Sequence, residues 1–406
     1  MKKVIFKIAL IFLIYLSLNL VIPSVIAADN NTTDILEEQG EEFGIQDFIN
    51  DSKEFAGEFF SDIDIGEILD SAIQGKIDNS SIIKKILNLL GSEVVESIKA
   101  IGSILAIIVI HAILRAISEN LENESVTKLI YYAQYILIIT IIMGNFSSII
   151  KMVQDTSTNL VAFMNMLVPL LITLMMYTGS IVTSGVLEPI ILFMINFIGN
   201  MIQNILIPLV LVFASLVIMS KLSDRVQIDK LAKFLKSGIV WVLGIVLTIF
   251  VGVLSLEGTM SSSVDGITAK TAKTIVSSAV PVVGKILSDS VETVLGGGII
   301  LKNAVGVVGV IIVLGICIMP IIKLATLTIA YKLLTAITEP IADAKVTSLL
   351  DQIGDIFKIF LAILSAMSVM IIVRHSISFE NFKLSLKIKK GKKWLSFLVL
   401  GLKIWD

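Results

Sequence analysis

The sequence predicts an all-α, polytopic integral membrane protein with about nine transmembrane helices, within a range of eight to ten, some interrupted and set in a possible internal repeat. Three observations carry this. Hydrophobic runs follow one another from residue 97 to 373. All six prolines beyond the first 28 residues lie inside or beside those runs, and interrupted helices are a habit of proteins that line polar paths through a bilayer. Only 16% of residues are charged and 55% are apolar, with a mean hydropathy of +0.93, whereas a water-exposed surface normally needs about a quarter charged.

Residues 1–28 read as a signal peptide. Lys2, Lys3 and Lys7 form a charged start, Ile8 to Val21 an apolar stretch, and Val25 and Ala27 a small-residue cleavage site. An uncleaved anchor helix is the alternative, and either one exports the residues after it. Residues 29–96 are an acidic exported segment. From 29 to 80 there are fifteen Asp or Glu against Lys53 and Lys76. Phe55, Phe59 and Ile63 fall on one helical face, so the segment is a docking surface for another protein or a solvated spacer. It ends in an amphipathic interfacial helix at 82–96, where Ile82, Ile83, Ile86, Leu90 and Val94 oppose Lys84, Lys85, Glu93 and Glu96.

The membrane domain, 97–373, divides into spans at 97–117, 129–150, 160–179, 187–202, 204–220, 237–256, 299–319, 321–338 and 353–373. With an exported start, nine crossings put the basic stretch 221–236 and the tail 374–406, with its seven Lys and Arg374, in the cytoplasm, as the positive-inside rule asks. Counting 271–290 as a tenth crossing reverses the side of the tail. A separation of 112 residues relates Val168-Pro169 to Val280-Pro281, Gly185 to Gly297 and Pro208 to Pro320, which suggests repeats over 160–256 and 271–373. Pro169, Pro208, Pro281 and Pro320 are the expected helix breaks.

Enzyme signatures are absent. There is no Gly-rich Lys-Ser/Thr phosphate loop, no paired-histidine zinc motif and no Gly-x-Ser-x-Gly elbow, so catalytic residues, cofactors and metals are all expected to be none. The only cysteine, Cys317, lies in an apolar run, which excludes an intramolecular disulfide. His111 sits within the first span, as a proton relay or as a hydrogen-bonded histidine between helices.

The best polar cluster is Asn196, Asn200, Gln203 and Asn204, a stripe of amides on a helix that Pro208 interrupts. Each unsatisfied amide in hydrocarbon costs several kcal/mol, so the stripe faces other helices or a water path. Lys332 falls mid-span and needs a cavity or a counter-charge, for which Glu339 or Glu188 is available. These four amides with Lys332 and Glu339 form the candidate polar path. Snorkelling accounts for Lys302 and Lys323. Residues 257–298, small and hydroxyl-rich, read as a re-entrant element or a surface amphipathic helix.

At these residues the chain resembles a known family. The strings LTIFVGV at 247–253, DGITAKTAK at 265–273, PVVG at 281–284, LKNAVGVVG at 301–309 and MPIIK at 319–323 are similar to the stage III sporulation protein AE family of endospore-forming bacteria, as are IQNILIPL at 202–209 and YKL at 331–333. The family-motif residues include Asp265, Gly266, Thr268, Lys273, Lys302 and Asn303. The resemblance implies a permease-like membrane component of the mother-cell-to-forespore channel complex required for endospore formation after engulfment. Its partners would be other stage III sporulation channel proteins, including a secretion-type ATPase and ring-forming subunits, together with membrane lipid and no nucleic acid. It would be a multi-pass protein of the mother-cell-derived membrane around the forespore. A stand-alone gradient-driven small-molecule transporter is the alternative. The end of the chain departs from the family pattern: Arg374 interrupts the last apolar helix, and the Lys-rich tail with Trp394 and Trp405 reads as a membrane-surface segment or as the product of a shifted reading frame.

Overall fold

A computed structural model describes residues 40–56, 64–74, 79–119, 124–181, 183–222, 228–260 and 284–377. Every regular element among them is helical: α1 (Ile45–Ala56), α2 (Ile65–Ile73), α3 (Asn79–Glu119), α4 (Glu124–Tyr177), α5 (Glu188–Met201), α6 (Ile207–Leu222), α7 (Asp229–Met260), α8 (Gly284–Thr338) and α9 (Ala344–Ile377). The signal peptide, residues 265–273, Pro281 and the tail beyond 377 lie outside the described residues.

The expected spans fuse into fewer, longer rods. Six helical stretches among the described residues are long and apolar enough to cross a membrane, beginning at Lys84, Leu129, Thr183, Lys230, Leu295 and Ala344. The runs 129–150 and 160–179 are both in α4, 187–202 and 204–220 make the α5–α6 rod, and 299–319 and 321–338 are both in α8. The count of about nine is therefore not confirmed among the described residues. Likewise the amphipathic stretch 82–96 is no separate surface helix but the opening of α3.

The proline corrections have a common physical basis. Pro169 and Pro320 stand inside uninterrupted helices, so neither is a break. Their local penalty is outweighed by packing along the rest of a rod of more than fifty residues. Near Pro208 the chain instead forms a π turn, Ile202–Leu206, and a second one, Thr183–Leu187, precedes Pro189. In both cases the proline comes two residues after the turn. The carbonyl that its ring would strike, four residues back, belongs to Asn204 or Gly185, inside the widened turn. One extra residue per turn removes that clash and absorbs the missing N–H.

Chain reversal between α4 and α5 is set by Gly179, whose φ of 83° favours glycine. The Ser180 N–H donates to Met175 O at 2.9 Å and the Gly179 N–H to Met176 O at 3.1 Å, a Schellman ending. The equivalent place 112 residues on, position 291, is mid-helix in α8. Of the residues matched by the proposed repeat, Gly185 lies in a π turn and Pro208 just after one, whereas Gly297 and Pro320 lie inside α8, and Val280-Pro281 lie outside the described residues.

α8 is the axis of the bundle. At 55 residues it is about 80 Å long, against a hydrocarbon layer of about 30 Å. Residues 301–313 are buried without exception, which explains a run apolar on every side. It packs chiefly against α9, then α4 and α3, and also meets α1 and α2. α1 and α2 each bury a stripe at i, i+3, i+4, i+7: Ile45, Phe48, Ile49, Ser52 and Ile65, Ile68, Leu69, Ala72. Phe48, tilted, and Phe55, edge-on, pack against Phe163 of α4 with ring centroids 6.4 and 5.8 Å from its own. The acidic segment therefore contributes two helices to the main core.

Candidate functional site

Three polar features interrupt this apolar bundle. The first is an ion cluster where α7, α8 and α9 meet. Lys332 Nζ lies 2.7 Å from Asp351 and 2.7 Å from Asp355, and also donates to the Asp351 backbone oxygen at 2.8 Å. Lys236 shares Asp355 at 2.6 Å. Asp351 and Asp355 lie one turn apart on α9, so both face the same lysine, and Gly354 between them makes room for its stem: a Cβ there would stand 3.3 Å from Lys332 Cε. Neither Glu339 nor Glu188 is the counter-charge. Glu339 is exposed in the turn after α8, and Lys332 sits near the end of its rod, not mid-span.

The second is an ion pair between Glu188, in the first turn of α5, and Arg374 of α9, with side chains 0% and 2% exposed. Arg374 does not interrupt the last helix, which continues to Ile377. Its charge is tolerated inside the bundle because a carboxylate meets it there.

The third is the amide stripe. Asn196 and Asn165 of α4 exchange hydrogen bonds: Asn165 Nδ2 donates to Asn196 Oδ1 at 3.1 Å, and Asn196 Nδ2 donates to Asn165 Oδ1 at 2.7 Å. Gln203 Nε2 donates to Thr158 Oγ1 at 2.9 Å. Asn204 Nδ2 donates to Asn200 within the same helix, and both side chains are exposed. Two of the four amides thus bond between helices, and two line the outer edge of the α4–α5 groove. Lys332 on α8 and Glu339 in the turn after it do not join them.

Other sequence expectations also move. Lys302 and Asn303 are 7% and 8% exposed in the enclosed part of α8, so Lys302 does not snorkel. Lys323 reaches towards Glu93 and Glu96 of α3, each at 4.0 Å, beside a Ser97–Thr326 hydrogen bond of 3.1 Å. His111 is buried in α3. No group of His, Cys, Asp or Glu among the described residues could hold a metal ion.

Residues 63–379 match the sequence model of the family described as Stage III sporulation protein AE. The chain belongs to this family. It is also similar to the Stage III sporulation protein AE of Bacillus subtilis (strain 168), 30% identical over 345 residues, which are 82% of this chain and 86% of the relative. No solved structure matches. Family membership gives this membrane protein a role in sporulation. The ion cluster, the amide stripe, Glu188 and Arg374 all fall inside the stage III AE match, so the family region extends past Arg374. α1 lies before it.

Proposed function

We propose that this sporulation protein is the permease-like membrane component of the mother-cell-to-forespore channel complex required for endospore formation, in the membrane around the forespore. It works there beside a secretion-type ATPase and ring-forming subunits. One observation carries the reading. The outer edge of the amide stripe is exposed, although the same rod exposes Phe193, Phe197 and Ile205 at that height. Those side chains require an apolar surrounding, and Asn200 and Asn204 cannot face one alone. A polar edge at apolar depth suits a subunit flanked by other protein or by water.

The second reading is a transporter acting alone on a solute gradient. The cluster of Lys236, Asp355 and Lys332 between three helices favours it, since partly buried carboxylate–lysine groups suit ion coupling. Purification of the tagged protein from sporulating cells separates the two. The channel reading predicts recovery with the ATPase and ring subunits, and proteoliposomes of the protein alone that accumulate no solute. Solute uptake by the isolated protein, with no co-purifying subunit, would overturn it.

A further inference from the structure

The exposed polar edge is wider than the amides of α5. On α4, Thr140, Gly144, Ser147, Lys151, Gln154 and Thr158 are all exposed and follow one another at alternating steps of four and three residues, and Asn165 continues the series one heptad on. Such spacing keeps one stripe turned to a partner helix along a left-handed crossing. The stripe is about 38 Å long, the thickness of the hydrocarbon layer or more. Its upper half lies at apolar depth, because the bonds from Asn165 to Asn196 and from Thr158 to Gln203 align it with exposed Phe193, Phe197 and Ile205 on the neighbouring rod.

We infer that this α4 stripe is a self-association surface, occupied by α4 of a second copy of the chain. Copies inserted in one membrane share an orientation, so the two α4 helices run parallel and each stripe residue meets its own counterpart. Amides and hydroxyls suit that arrangement because each both donates and accepts, as the Asn165–Asn196 exchange already does within the chain. The charges suit it as well. Lys151 and Asp155 are both exposed, one turn apart, so Lys151 of each copy lies within reach of Asp155 of the other, giving two crossed ion pairs where lysine alone would repel.

Disulfide trapping in native membranes tests the inference. Ser147→Cys and Gln154→Cys, introduced singly, should give a dimer of twice the chain mass on mild oxidation, and Trp241→Cys, exposed on α7, should not. The native Cys317 can remain, being enclosed in α8. In the Gln154→Cys background, Lys151→Asp or Asp155→Lys alone should lower the dimer yield about fivefold, and both in one chain should restore it. Where a single charge variant accumulates poorly, the combined swap decides. A yield no higher than Trp241→Cys, a cross-link of another mass, or failure of the swap to restore the dimer overturns self-association. A stripe covered by the chain's own tail gives the first of these results.

Discussion

Arg374, near the end of α9, and Glu188, at the start of α5, form an ion pair with neither side chain appreciably exposed. The pair joins the last described helix to the start of α5. Removing one member leaves the other charged in an apolar bundle, so Glu188→Gln and Arg374→Met should each cost about 3–5 kcal/mol. The double variant should cost less than the sum. Unfolding in detergent, followed by scattering or by retention of the monodisperse species, measures the three.

Asp355 is the shared acceptor of the ion cluster, whereas Asp351 is half-exposed and holds only Lys332. Asp355→Asn leaves Lys236 and Lys332 competing for fewer acceptors and should lower stability by about 2 kcal/mol. Asp351→Asn should cost under about 1 kcal/mol, since solvent screens the remaining charge. Equal effects in the same unfolding assay would contradict this ranking.

Gly199 is the contact point of α5 on α4. A Cβ there would collide with Val161 and approach the Met367 methyl at 3.7 Å. Gly199→Val should lose about 1–3 kcal/mol through overpacking, and Val161→Ala should recover much of it. Accumulated protein in sporulating cells, read by immunoblot, should follow the same order.

If the six long rods among the described residues each cross once and no other segment does, the chain returns to the side on which it starts. Cysteines at Glu42 and Lys390 should therefore react with an impermeant maleimide from the same face. Nine crossings require opposite faces, so labelling of one and protection of the other would restore that count.

The fold class was legible because apolar runs of about twenty residues report membrane depth directly. Where one rod ends and the next begins was not. Pro169 and Pro320 carry a strong local penalty, yet packing along α4 and α8 overrides it, whereas Pro189 and Pro208 each follow a π turn. The burial of Lys302 was hidden for a related reason: an apolar run looks the same whether lipid or protein surrounds it. The amides of α5 could be read as a stripe from spacing alone, and their pairing with Asn165 and Thr158 fits the interhelical alternative. Asp351 and Asp355 were within reach of sequence reasoning, being one turn apart at the head of the last helix. The match of Arg374 to Glu188 was not, since no local pattern links residues so distant in the chain.

The enclosure of α8 has a consequence for how the protein is made. Residues 301–313 lie wholly inside the bundle, and the helix against which α8 as a whole chiefly packs, α9, is synthesised afterwards. Between the two events the newly inserted α8 presents Lys332 without Asp351 and Asp355, the carboxylates of α9 that pair with it, a condition that membrane proteases recognise. Ribosome pausing or truncation before residue 344 should accordingly yield a short-lived fragment, and co-expressing the missing helix in trans should lengthen its lifetime.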